Sequence, residues 1–270
     1  MYPVCLQLGP LTVHWYGVMM ALGFLAAFVS LHVLGRRDGR SFETLSDLTF
    51  WIMVGGIIGA RVAYVTSEWG HFAMHPAEII RVDRGGLIYY GGFLAAGVVL
   101  LVFARMHRER FWSLVDFVLA SVPLAHAFGR VGCFLNGCCY GKATAGAMGV
   151  QYPLDSPAWC DELNAGLVSR YHAKSLAVHP VQLYEAGFDL ALYALLFTVY
   201  RSRDRRVGMT SGLYFILYPV GRFTLEFLRG DDRLRWFGLS VAQWISIALL
   251  TLGCWLLARA SRGGAGASGR

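Results

Sequence analysis

Charge is what this sequence has least of. Only 15% of its 270 residues are Asp, Glu, Lys or Arg, against 56% hydrophobic, and the mean hydropathy is +0.49. Soluble domains carry roughly 25% charged residues, so the deficit excludes a disordered chain, a nucleic-acid arm and an ordinary cytosolic enzyme. A polytopic membrane protein is left. Residues 1–12 contain no Lys or Arg, so no charged segment precedes the first apolar run and no cleavable signal peptide is expected. No internal repeat is visible, which counts against an inverted-repeat transporter. H-E-x-x-H and C-x-x-C are both missing, which argues against a zinc protease in the membrane and against a thiol oxidase.

What is present is seven apolar runs, about 11–34, 45–66, 87–104, 111–128, 181–200, 208–227 and 238–258. Each is near the ~20 residues a helix needs to cross a hydrocarbon core of ~30 Å. The expected fold class is all-α and polytopic. Seven transmembrane helices form one domain over 1–258, a small extracytoplasmic insert over about 129–180 joins the fourth and fifth, and 259–270 is a flexible cytoplasmic tail. Of the 24 Lys and Arg, 13 lie in the connectors after the first, third and fifth runs and in the tail. The alternate connectors hold 9, and Arg61 and Arg222 lie inside runs. The positive-inside rule therefore puts the N-terminus outside and the C-terminus in the cytoplasm. The net charge of +7 is topological, and nucleic acid is not an expected partner.

Gly55 with Gly59, and Gly92 with Ala96, are spaced to let helix backbones approach closely. Against this apolar background stand Arg61 in the second run, Glu185 and Asp189 in the fifth, and Arg222 and Glu226 in the sixth. An ionisable group costs at least ~2.5–3.5 kcal/mol at the bilayer centre, so such groups commonly line a polar cavity. Those near run ends, Arg61 among them, can instead reach the interface. Tyr218, Arg222 and Glu226 are spaced i, i+4, i+8 on one helix face. They read either as a self-neutralising pair or as a cationic anchor, whose planar fork suits phosphate. After His179 and Pro180, the residues Gln182, Glu185 and Asp189 form a second polar stripe.

The densest stretch is Gly129–Gly141, GRVGCFLNGCCYG, which directly follows the fourth run. Its four glycines, Arg130 and Asn136 suggest a loop that offers backbone N–H groups and a guanidinium to an anion. This string resembles the signature of the phosphatidylglycerol–prolipoprotein diacylglyceryl transferases, bacterial enzymes of lipoprotein maturation. Five further stretches resemble that family in the same order: HWYG at His14–Gly17, GGIIGARVAYV at Gly55–Val65, YYGG at Tyr89–Gly92, HPVQLYEA at His179–Ala186 and YPVGRFTLEFLRGDD at Tyr218–Asp232.

The resemblance implies transfer of a diacylglyceryl group from phosphatidylglycerol to the thiol of a prolipoprotein lipobox cysteine, with glycerol phosphate released. The implied partners are that lipid, the lipobox peptide and the bilayer of the inner membrane; neither a cofactor nor a metal is implied. Carried over position by position, Arg130, Arg222, Glu226 and Tyr90 are the catalytic residues. Tyr16, Arg61, Gly91, Gly92, Asn136, Gly141, His179, Gln182, Glu185 and Tyr218 are the substrate-binding ones. The pattern departs at two places. Tyr90 stands where many relatives have a candidate base, His; a phenol of pKa ~10 is a poor base at neutral pH. That leaves deprotonation of the thiol to Glu226 or to the arginine field. Cys133 and Cys138 replace a more usual Asn and Glu, whose roles do not transfer. The cysteine-rich loop, with Cys139 and Cys160, reads as a structural disulfide or as small-residue packing, and no cysteine of this chain is needed as the nucleophile. A zinc site is disfavoured because a second x-x-spaced pair is missing.

Overall fold

The structure is a computed structural model that describes residues 4–9, 11–81, 86–231 and 235–265. Arg84, Asp232, Arg233 and Arg270, counted above, lie outside the described residues. The chain divides into two compact units, one built from residues 1–30 and 116–270 and the other from 31–115.

A hairpin of β1 (Val4–Leu8) and β2 (Leu11–His14) leads into α1 (Trp15–Arg37), followed by α2 (Phe42–Ser67), a short α3 (Trp69–Phe72) and α4 (Tyr89–Met106). Then come α5 (Phe111–Leu119), α6 (Val122–Asn136), α7 (Pro157–Asn164), α8 (Val181–Arg201), α9 (Met209–Glu226), a small hairpin of β3 (Arg235–Trp236) and β4 (Leu239–Ser240), and α10 (Val241–Ala265). Among the described residues α1, α2, α4, α8 and most of α10 are long and apolar enough to cross a membrane. The α5–α6 pair, bent by 41°, makes a sixth span if counted as one. This is the architecture of a polytopic membrane protein. α9, which carries Pro219, Arg222 and Glu226, is not among those spans.

Two expectations are corrected. Residues 129–136 are the end of α6 and not a loop, so Arg130 and Asn136 sit on a helix. Glycine costs a helix about 1 kcal/mol per residue, but here tertiary packing outweighs propensity. A Cβ on Gly132 would stand 3.1 Å from Met19 Cβ and 3.2 Å from Tyr16 Cδ2, so the bare backbone lets α6 press against α1. The helix stops at Gly137, whose φ of +76° suits glycine, and Cys138 N–H folds back onto Cys133 O at 3.2 Å. The tail also differs: α10 continues through Ala265, leaving only 266–270 of it outside the described residues.

From residue 137 to 180 the chain builds a small core of its own from Tyr140, Tyr152, Ala158 and Val178, flanked by Phe134 and Val150. α7 is capped by Ser156 Oγ, which accepts from Trp159 N–H. α9 has a more distant cap. The buried Asp116 carboxylate accepts from Gly208 N–H at 2.6 Å and Ser211 N–H at 2.7 Å. Asp116→Ala strips two buried donors of their acceptor, a cost of about 1–3 kcal/mol each. A thermal melt in detergent should show a clearly lowered midpoint, and an unchanged one would mean that α9 does not depend on this cap.

In the second unit α2 and α4 meet through glycine. A Cβ on Gly59 would lie 2.6 Å from Gly91 O, and one on Gly92 2.9 Å from Gly56 O. The close approach therefore uses Gly59, Gly91 and Gly92, as small-residue membrane packing requires. Arg61 is buried and fully engaged. Its guanidinium donates to the carbonyls of Glu78 (2.6 Å), Ile79 (2.8 Å) and Gly86 (3.1 Å) and lies over the rings of Tyr64 and Phe72. It ties the 78–86 connection to α2. Tyr90 opens α4, edge-on to Tyr89 at 5.8 Å between ring centroids.

Candidate active site

The site is assembled from three helices of the first unit. On α6, His126 and Arg130 are four residues apart, and on α8 so are Glu185 and Asp189; each pair lies on one helix face. Packing α6 against α8 matches them rung by rung. Arg130 Nη2 is 2.8 Å from Glu185 Oε1, and His126 Nδ1 is 2.8 Å from Asp189 Oδ2. α9 closes the cluster, with Arg222 Nε 3.8 Å from that same Glu185 oxygen and Arg222 Nη1 2.6 Å from Glu226 Oε2. Two guanidinium groups therefore converge on one carboxylate oxygen. Tyr218, one turn before Arg222, stacks on Tyr214 (5.4 Å) and meets the His126 ring edge-on (5.5 Å).

Glu185 is 1% exposed, and Asp189, Arg222 and Glu226 are buried with it. Charges in such surroundings are tolerated only as mutual partners, since desolvation costs several kcal/mol per ion. The cluster is not internally complete. Arg130 Nε is a buried donor with no hydrogen-bond partner among the described residues. A buried N–H left in that state costs about 1–3 kcal/mol, and an arginine fork with a spare donor suits a phosphate or carboxylate oxygen.

Around the cluster runs a collar that joins the sequence motifs. Gly141 N–H donates to His179 O at 2.9 Å, Lys142 N–H to Leu228 O at 2.8 Å, His179 N–H to Lys142 O at 3.0 Å and Gly230 N–H to Tyr140 O at 3.1 Å. A Cβ on Gly141 would stand 2.6 Å from His179 O, so only glycine permits this crossing. Gln182, wholly buried, donates to Cys138 O at 2.7 Å and to Tyr152 Oη at 3.1 Å. Burial, with the neighbouring thiols adding, pushes the Tyr152 phenol up to about 12. Asn136 is the last residue of α6, directly before the helix stop at Gly137. Arg229 holds Asp231 in a bidentate pair (2.8 and 2.6 Å). Burial alone would lower its pKa, but its hydrogen bonds to Asp231 raise it above the ordinary value. The sulfurs of Cys133, Cys138 and Cys139 all lie within 4.8 Å of one another.

Of the residues expected from sequence, Arg130, Arg222, Glu226, Glu185 and Tyr218 come together in one cluster. Asn136, Gly141, His179 and Gln182 form its collar, and Tyr16 packs on the α6 face at Gly132. Arg61, Tyr90, Gly91 and Gly92 belong to the other unit, where Arg61 and the two glycines have the packing roles described above. The sequence reading missed His126, Arg229 and Asp231, and saw Asp189 as an ionisable group in an apolar run and part of a polar stripe, without a partner helix. The spacing His126-x-x-x-Arg130 beside Glu185-x-x-x-Asp189 was the available signal.

The family described as prolipoprotein diacylglyceryl transferase matches residues 3–259. A Xanthomonas oryzae protein named phosphatidylglycerol–prolipoprotein diacylglyceryl transferase is 36% identical over 275 residues, covering 96% of this chain and 91% of its own length. Proteins of the same name from Xanthomonas euvesicatoria and Xanthomonas campestris are each 35% identical with the same coverage.

Proposed function

The chain belongs to the prolipoprotein diacylglyceryl transferase family, and from that premise we propose how its residues carry out the reaction. The enzyme transfers the diacylglyceryl group of phosphatidylglycerol to prolipoproteins during lipoprotein maturation. The thiol of the lipobox cysteine attacks the glycerol carbon that carries the phosphate. A sulfur–carbon bond forms as the carbon–oxygen bond breaks, and the electron pair leaves on the phosphate of glycerol phosphate. The leaving group gains one negative charge, so donors fixed around it before the reaction stabilise the transition state more than the bound lipid.

Arg130 and Arg222 are those donors. Glu185 Oε1, where both guanidiniums converge, marks the position beside which the phosphate oxygens bind, and the open Nε of Arg130 is the donor waiting for them. This convergence carries the reading. Glu226 holds the Arg222 fork, and Gln182, Gly141, His179 and Asn136 hold the collar that sets where α6 ends. Tyr218 and Tyr16 line the lipid path, and Tyr90, a phenol of pKa ~10, does not act as base. Arg61, Gly91 and Gly92 act on substrate indirectly, by shaping the second unit. The thiol, with an ordinary pKa of ~8.5, reacts as thiolate, which the positive field of the two arginines favours.

The lipid substrate implies a membrane setting, the bacterial inner membrane. We assign seven spans, adding α9 to the five clear helices and the bent α5–α6 pair, with the N-terminus outside and the C-terminus in the cytoplasm. Residues 1–258 then form the membrane domain, the 137–180 segment lies on the outer side where exported precursors arrive, and the chain beyond 258 is cytoplasmic. Purified protein with labelled phosphatidylglycerol and a lipobox peptide should yield a lipidated peptide, and none when the peptide Cys is replaced by Ser. No product in detergent or in liposomes from folded protein would overturn the assignment. Tyr90→Phe removes a single phenol hydroxyl, which predicts a loss of no more than roughly ten- to hundredfold in kcat/KM, the worth of one hydrogen bond to a charged group. Complete inactivity of a folded Tyr90→Phe protein would make the phenol indispensable instead.

A further inference from the structure

Three thiols stand beside the phosphate clamp without belonging to it. Cys133 is on α6 one turn after Arg130, while Cys138 and Cys139 follow the helix stop at Gly137. Their sulfurs all lie within 4.8 Å of one another, and three thiolates on one tetrahedral zinc ion, with Zn–S ≈ 2.3 Å, stand about 3.8 Å apart. The backbone is bent to achieve this. Cys139 has a φ of +63°, a left-handed conformation that costs a residue with a side chain roughly 1–2 kcal/mol and that glycine would adopt freely. Cys138 is anchored through its carbonyl, which accepts 2.7 Å from the buried Gln182 amide. Packing alone requires neither the strain nor the anchor.

The surrounding charge also fits. Three thiolates and a divalent cation make a complex of net charge −1. The positive charges of Arg229 and Arg130, both close enough to act on Cys139, offset it.

We propose that Cys133, Cys138 and Cys139 bind a soft divalent cation, zinc in the first instance, whose fourth position takes the incoming lipobox thiol as a thiolate. The proposal rests on the transferase reading and adds to its arginine field a ligand set that deprotonates the nucleophile outright, in a chain whose Tyr90 is a poor base. Binding of the peptide thiol to the metal releases its proton to solvent, because a metal-bound thiol is deprotonated outright. An all-thiolate ligand set leaves the bound sulfur electron-rich. That sulfur attacks the glycerol carbon as the carbon–oxygen bond breaks towards the phosphate held by Arg130 and Arg222. The product thioether is a neutral, weak ligand and leaves the metal, which takes the next thiol. No electrons are exchanged with the metal, so no oxidant or reductant is needed.

The test uses the full-length protein, purified under reducing conditions and loaded with zinc or with cobalt(II) as its spectroscopic substitute. We expect one equivalent held against a chromogenic chelator and, with cobalt, thiolate-to-metal charge transfer with tetrahedral d–d bands. A lipobox peptide should shift those bands, and its Cys→Ser form should not. Cys139→Gly suits the backbone and removes a ligand, so it should fold, bind at least tenfold more weakly and lose the peptide response. Binding equal to that of Cys139→Gly, a cobalt spectrum indifferent to the peptide thiol, or a disulfide among the three that excludes the metal would each overturn the proposal. Full transfer activity after the metal is stripped would also sink it, while leaving the transferase reading intact. Absence of transfer from stripped and loaded protein alike would instead defeat the transferase reading, and the cobalt spectrum would still judge the site by itself.

Discussion

Arg222→Ala and Arg130→Ala should each lower kcat/KM for diacylglyceryl transfer by at least about 10²–10³-fold, the loss expected when one preorganised donor to a developing oxyanion is removed. The two changes are not equivalent. Arg222 is held 2.6 Å from Glu226 and also approaches Glu185, so its removal leaves Glu226 buried without its close cation. Arg130 is held by Glu185 and carries the open donor, so its removal falls more directly on phosphate binding. Lysine at either position keeps the charge but loses the planar fork. Both Lys variants should therefore be better folded than the Ala variants and still be strongly impaired. Rates normalised to folded protein, with phosphatidylglycerol varied, decide the matter. Near-normal transfer by either Ala variant would remove that arginine from the mechanism.

Glu185→Ala should produce the largest change in stability. Its carboxylate oxygen lies 2.8 Å from Arg130 and 3.8 Å from Arg222, and it is 1% exposed. Removing one partner from a buried ionic network costs about 3–5 kcal/mol, because the remaining charges are left without their counter-ion. A membrane protein this size should then melt many degrees lower or fail to accumulate. Glu185→Gln keeps an acceptor of the same shape and should recover part of the loss, which separates hydrogen bonding from charge. Equal stability of wild type, Gln and Ala forms in the same detergent would show that the Arg130–Glu185 contact is incidental.

These two predictions differ in how far they could be reached without the fold. Arg130 and Arg222 were legible, because a cation in or beside an apolar run is costly enough that its presence carries information, and because six ordered motifs surrounded them. The same cost argument flagged Glu185 and Glu226. It did not say that Glu185 would lie between the two arginines, since pairing across helices depends on which faces meet. Arg61 illustrates the opposite error. Its position in an apolar run left a polar cavity and the interface both open and the resemblance implied contact with substrate, whereas its fork is taken up by the carbonyls of Glu78, Ile79 and Gly86.

His126 escaped notice because a lone imidazole on an apolar face has no meaning until Asp189 is seen 2.8 Å from it on another helix. The stretch 129–136 was misjudged for a related reason: its glycines argue for a loop locally, and only the approach of Tyr16 and Met19 explains why they serve a helix.

Hydropathy by itself determined that the protein is polytopic, because the transfer of an apolar run into lipid depends on its own composition. Among the described residues five helices, or six spans with the bent α5–α6 pair, are long and apolar enough to cross. The order and content of the motifs determined the family and its chemistry. Only the tertiary structure decided which acid answers which arginine, that Gly141 lies across His179 O, and that the sulfurs of three cysteines separated by a helix end lie within 4.8 Å of one another. Those are contacts between residues distant in the chain or across a turn. Their energies depend on distance and burial, which no local pattern encodes.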